Sequence, residues 1–186
     1  MNKQNGQTLL EVMLAIGIMI FGIISIISLS ITSSVMARRT SKELIATQLA
    51  REGLEAVRNI RDGNWLEIED GITGVNWYDG IYNATDSTAI ALFSTTTVGG
   101  NWTINFTPNS LTQNSTKIYS DGDNIYRHKL PSETLTETPY RRLLTITQIL
   151  DGTDFVGLNV KSEVQWNDGG TKSKILEENL YDWKAR

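Results

Sequence analysis

The chain has no cysteine, one histidine and three prolines, and the first proline is Pro108. Without cysteine there is no disulfide, no thiolate nucleophile and no zinc site of the cysteine type. With His128 as the sole histidine, a multi-histidine metal centre is excluded and any Ser-His-Asp triad has to use that residue. His128 sits in the polar, basic run Arg127-His128-Lys129 and reads as an exposed loop histidine. The late first proline removes the strongest helix breaker from a long N-terminal stretch. A further absence is the most informative: from Val12 to Ala37 no side chain is charged.

Within that stretch, Val12 to Ile31 is apolar apart from Gly17, Gly22, Ser25, Ser28 and Ser30. At about 1.5 Å per residue, a helix of that length covers roughly the 30 Å of a bilayer's hydrocarbon core. A helix of a soluble core usually keeps a polar face, and none is present here, so residues 12–31 read as one transmembrane span. A secretory signal peptide is the rival, but its apolar region is typically about 7–15 residues and ends in a small-residue cleavage pattern. Glu11 immediately precedes the span. An ionised carboxylate in hydrocarbon costs on the order of a few kcal/mol, so it needs a cation or a wet position among the headgroups. If the bond after Gly6 were cut, Gln7 would gain an α-amino group able to pair with Glu11 on the same or a neighbouring chain.

The string Gly6-Gln7-Thr8-Leu9-Leu10-Glu11, followed by an uncharged apolar helix, resembles the class III signal of type IV pilins and pseudopilins. That resemblance implies a leader at 1–6, cleavage after Gly6 by a membrane prepilin peptidase, methylation of Gln7, and pairing of Glu11 with a neighbour's N-terminus during filament assembly. It implies no enzyme activity and no cofactor. The implied partners are the peptidase, other pilin subunits, an inner-membrane assembly platform and membrane lipid before assembly. The implied location is a single-pass inner-membrane protein with an extracytoplasmic head, then an extracellular or periplasmic filament. Two features differ from the common family pattern: Gln7 stands where phenylalanine is frequent, and no proline kinks the span. Lys3 precedes the span while Arg38, Arg39 and Lys42 follow it, so charge counting alone does not place the N-terminus inside, and the orientation rests on the resemblance. A type II secretion or competence pseudopilin is the alternative within the family. A permanent single-pass membrane protein with an extracytoplasmic binding domain is the alternative of another class.

Beyond the span, residues 40–62 read as an amphipathic continuation of the helix. Ala46, Leu49, Gly53, Ala56, Val57 and Ile60 recur at three- and four-residue spacing, with Arg51, Glu52, Glu55, Arg58 and Asp62 largely opposite. Such a stripe packs on an apolar surface, and coiled-coil pairing is the weaker use because the repeat spans barely two heptads. Asp62-Gly63-Asn64 reads as the stop, which makes residues 7–62 one helix of roughly 80 Å. This continuity predicts no flexible tether between span and head.

Residues 63–186 change to Thr, Asn, Ser and Gly with scattered aromatics and read as a globular antiparallel β head. Trp102, Ile104 and Phe106 alternate with polar residues, and Val156, Leu158, Val160, Val164 and Trp166 keep one parity with Ser162 between. Tyr140 to Leu150 is rich in β-formers, Asp151-Gly152 and Asn167 to Gly170 read as turns, and a last strand runs from about Thr171 to Tyr181. The expected fold class is α+β, a long N-terminal helix laid on an antiparallel sheet, similar to type IV pilins.

The net charge of −4 argues against a general nucleic-acid-binding surface. Arg127, Lys129, Arg141 and Arg142 give DNA contact weak support, and placement of Arg141 and Arg142 at a strand start is favoured. Asp121, Asp123 and Asn124 are weak metal candidates, because hard cations take clustered oxygens. The flanking Ile118-Tyr119 and Ile125-Tyr126 favour a hairpin turn instead. The pairs Glu67 with Glu69 and Glu177 with Glu178 read as solvated carboxylates. Asn-x-Ser/Thr triplets at Asn83, Asn101, Asn105 and Asn114 would be glycan acceptors where an exported glycosylation system exists.

Overall fold

The computed structural model describes residues 9–85, 87–94, 100–108, 110–122, 125–130 and 133–182. It divides into two units, Met1–Lys42 and Glu43–Arg186. Helix α1, Leu9–Glu69, contributes to both.

In the first unit, α1 buries nothing. Its large apolar side chains from Leu9 to Met36 are between 42% and 80% exposed, so this segment is long and apolar enough to cross a membrane. Two of its hydroxyls bond within the helix: Ser25 Oγ donates to the Phe21 carbonyl at 2.8 Å and Thr32 Oγ1 to the Ser28 carbonyl at 2.9 Å. Such back-bonding lets hydroxyls sit in a medium with no competing donors or acceptors.

The second unit is an α+β domain in which the C-terminal part of α1 packs on a seven-stranded antiparallel sheet. The strands are β1 (Thr88–Ser94), β2 (Asn101–Asn105), β3 (Lys117–Ser120), β4 (Tyr126–His128), β5 (Thr136–Asp151), β6 (Asp154–Asn167) and β7 (Thr171–Tyr181). β5 is the spine. It pairs with β6 from Arg141 to Asp151 along one side, and with β1 and β3 in succession along the other. β2, β4 and β7 lie outside β1, β3 and β6 respectively. The expected alternation holds in β6, where Leu158, Val160, Ser162, Val164 and Trp166 are all buried.

The helix face is the expected stripe: Ala46, Leu49, Gly53, Ala56 and Val57 are buried, joined by Ala50 and Leu54. Four of these seven are alanine or glycine, so the helix backbone lies close to the sheet. Gly53 marks the tightest point. A Cβ there would lie 2.6 Å from Ser162 Oγ, 3.0 Å from Leu144 Cδ2 and 3.2 Å from Arg142 Cδ. Ion pairs seal the margin with β7: Arg58 meets both carboxylate oxygens of Glu178, and Lys174 Nζ lies 3.6 Å from Glu43.

The helix does not stop at Asp62-Gly63-Asn64; it continues to Glu69. Gly63 faces open space, so its missing side chain costs only propensity, while Trp65 is buried and Ile68 packs on the core. Asn64 Nδ2 donates to the carbonyls of Trp77 at 3.2 Å and Asp79 at 2.8 Å, which ties the extra turns to the following loop. The termination falls instead at Asp70-Gly71, where Gly71 has φ +80° and its N–H donates to the Ile68 carbonyl. That is a left-handed glycine closing a helix.

Gly53→Ala sets a gain of about 1 kcal/mol in helix propensity against an overpacking cost of about 1–3 kcal/mol. The clash outweighs the gain, so thermal unfolding of the detergent-solubilised chain, followed by circular dichroism, should shift down by several degrees. Adding Ser162→Ala removes the nearest clash and should recover part of the loss. A Gly53→Ala chain at least as stable as the parent would show that helix and sheet are less closely apposed than described.

Candidate functional site

The residues singled out in the sequence fall in different places. Gly6 and Gln7 lie outside the described residues, as do Asp123 and Asn124. Glu11 lies in the first turn of α1 and is exposed. A carboxylate there is favoured by the partial positive charge of a helix N-terminus.

Asp121 closes the β3–β4 hairpin: its N–H donates to the Ile125 carbonyl at 3.1 Å, and its Oδ1 accepts the Ile125 N–H at 2.9 Å. The turn reading therefore holds on both flanks, with Ile118 opposite His128 and Ser120 opposite Tyr126. Among the described residues, no three His, Asp or Glu side chains are placed to hold a metal ion.

His128 is not an exposed loop residue. It ends β4 and is 1% exposed. Its Nδ1 lies 3.1 Å from the Lys117 carbonyl on β3, a hydrogen bond that requires the proton on Nδ1. Burial, reinforced by the charge of Arg142, lowers its pKa from 6.5 to about 3, against the carbonyl contact, which favours the charged form. The sequence run Arg127-His128-Lys129 hid this because strand alternation sends the middle residue inward while its basic neighbours face out.

Arg142 is the second residue whose position was unforeseen in detail. It lies at the expected place in a strand but on the inner face of β5, fully buried, between Tyr140 and Leu144. Its Nη1 donates to the Leu49 carbonyl of α1 at 2.9 Å and sits 3.2 Å from Glu52 Oε1. Arg141 points elsewhere and donates to the carbonyls of Leu111 at 3.1 Å and Gln113 at 2.8 Å. Arg127 is paired with Glu133, and Lys129 lies 5.8 Å above the Tyr119 ring. Three of the four basic residues considered for DNA, Arg127, Arg141 and Arg142, thus have partners within the head, while Lys129 is exposed. Glu178 likewise departs from a solvated carboxylate, since its side chain is 24% exposed and holds Arg58.

One concave feature was not legible. A groove of about 450 Å³ runs between α1 at Leu44, Gln48 and Glu52, the β1–β2 pair at Phe93 and Trp102, and β4 with its preceding residue Ile125. Phe93 and Trp102 form a cross-strand aromatic pair with centroids 4.9 Å apart. The lining is mostly apolar, the usual character of a ligand or partner pocket. The signal for it was weak because it joins residues from three separate sequence regions, one of which, β1, had no predicted strand.

Because the unfolded chain binds a proton at His128 below about pH 6.5 and the folded chain does not until about pH 3, stability falls as pH drops through that window. The loss is at most about 1.4 kcal/mol per pH unit. His128→Gln, which cannot titrate and can still donate to Lys117, should show a shallower fall of Tm between pH 6.5 and 4.5. Parallel Tm curves for parent and variant would remove His128 as the source.

No family model, curated protein or solved structure matches this chain.

Proposed function

We propose that the chain is a minor pilin or pseudopilin, a non-enzymatic structural subunit of a type IV pilus-like filament. The observation that carries the proposal is the helix α1 itself. Its residues from Leu9 to Met36 expose apolar side chains throughout, directly after the Gly6-to-Glu11 string, while its later residues pack on an antiparallel sheet. In this reading a prepilin peptidase cuts after Gly6. The chain is stored as a single-pass inner-membrane protein with an extracytoplasmic head, and the assembly platform then extracts it. Extraction exchanges lipid for the helices of other subunits around an equally apolar surface, and Glu11 meets the amine of a neighbouring Gln7, which neutralises a charge that hydrocarbon penalises by a few kcal/mol. A type II secretion or competence pseudopilin would use the same steps.

A permanent membrane-anchored binding protein is the second reading, and the apolar groove beside Trp102 favours it. The two are separated by intact mass and N-terminal peptide analysis of the protein from its own cells. The pilin reading requires a mature chain beginning at Gln7, and a retained Met1-to-Gly6 leader overturns it. Glu11→Ala should leave cleavage intact while lowering the amount recovered in sheared filaments at least several-fold. Parental incorporation of that variant would exclude the pairing role.

A further inference from the structure

The four Asn-x-Thr triplets are equivalent in sequence, and the fold makes them unequal. Asn114 heads a 3-10 turn in which Thr116 is buried, its hydroxyl held between the carbonyls of Leu111 at 2.9 Å and Gln113 at 2.7 Å. Asn101 and Asn105 begin and end β2, in register with Ser94 and Ile90. The middle residues of those triplets, Trp102 and Phe106, pack against the core. Presenting either triplet to an enzyme would pull an aromatic side chain from its place.

Asn83 is half-buried and differs in its middle residue, although Asn105 makes the same Asx turn, its Oδ1 accepting the Thr107 N–H at 2.8 Å. Asn83 lies in the loop before β1, followed by exposed Ala84 and exposed Thr85, and its Oδ1 accepts the Thr85 N–H at 2.9 Å. That Asx turn folds the triplet back on itself, so the hydroxyl-bearing residue stands beside the amide without disturbing the core. The triplet itself forms one wall of an open cleft of about 170 Å³, lined also by Tyr82, Ser87, Thr147 and Gln148. An aromatic ring beside hydroxyl and amide groups suits a sugar, which presents an apolar C–H face and a rim of hydroxyls.

We infer that Asn83 is the acceptor for an N-linked oligosaccharide whose first sugar rests in the cleft beside Tyr82. The donor is a lipid diphosphate-linked oligosaccharide. Asn83 Nδ2 forms a bond to the anomeric carbon, the bond from that carbon to the diphosphate oxygen breaks, the lipid diphosphate leaves, and one amide proton passes to a base of the transferase. No electron transfer is involved. The inference rests on the preceding reading in placing the head outside the cytoplasm.

The test has two arms. The folded, detergent-solubilised full chain is treated with a purified oligosaccharyltransferase that reads Asn-x-Thr without an upstream acid, together with its lipid-linked oligosaccharide, and peptides are mapped by mass. Occupancy at Asn83 at least tenfold above that at Asn114 is expected, with Thr85→Ser retaining and Thr85→Ala losing it. No glycan on Asn83, or equal occupancy at all four sites, overturns the inference. In protein from its own cells, a glycan mass on the Asn83 peptide is expected. A bare Asn83 on a chain that begins at Gln7 overturns the glycan and spares the pilin reading, whereas a chain retaining Met1 overturns the pilin reading instead.

Discussion

The head depends on how closely α1 can approach β5 and β6, and that distance is set where Gly53 lies over Ser162, Leu144 and Arg142. A side chain at 53 would lift the helix, and Arg142 would then lose the carbonyl of Leu49. In a helix that carbonyl already serves the N–H four residues on, which belongs to Gly53 itself. The arginine therefore uses the second lone pair of that acceptor, at a point where a Cβ on residue 53 would lie 3.2 Å from the arginine's own Cδ. Glu52 adds a carboxylate from the next residue of the same helix. Burying a guanidinium costs on the order of several kcal/mol, and Arg142 Nε and Nη2 find no protein partner among the described residues. A well-packed apolar residue there would be expected to stabilise the head at least as well, so the arginine is better explained as fixing the register of helix on sheet.

From that point the rest of the second unit follows in two directions. On one side the stripe meets Ile118, Tyr140, Val164 and Trp166; on the other it meets Leu144, Leu158, Val160 and the aromatic group of Trp77, Tyr78 and Phe155. His128 belongs to the same constraint. Its neutrality is maintained by burial and by the charge of Arg142, so the cation that aligns the helix also keeps a second cation from forming on β4. The ion pairs at the β7 margin are secondary, because even the part-buried Arg58–Glu178 pair lies at the edge of the sheet, where a pair contributes on the order of 1 kcal/mol.

Much of this was legible. β5, β6 and β7 follow from alternation and turn residues, and the helix stripe from its spacing, because both signals are local and periodic. What failed was local evidence overruled by distant contacts. Asp62-Gly63 has the composition of a stop, and a similar pair at Asp70-Gly71 does terminate the helix. The difference lies in Trp65 and Asn64, whose partners are Trp77 and Asp79. His128 was misplaced because a three-residue strand is too short to show a period. β1 was missed although Ala89, Ile90 and Ala91 are buried, since a run buried on both faces does not alternate. Of the candidate site, the membrane-compatible helix and Glu11 could be read directly, whereas the groove and the unequal Asn-x-Thr triplets could not.

The two units solve opposite problems with one type of residue. In the head, apolar side chains of α1 are small, so that backbone can meet sheet and a carbonyl can be reached. In residues 12–31 they are mostly large and branched, Ile above all, and they meet nothing. A large apolar surface left in water would cost about 25 cal/mol per Å². That surface therefore has to be covered by lipid or by other apolar helices. Both environments are apolar, so the proposed passage from one to the other would change packing more than hydrophobic burial. In the proposed reading, Glu11 is then the place where the two states would differ most, since a carboxylate can be wet at a bilayer surface but has to be paired inside a bundle.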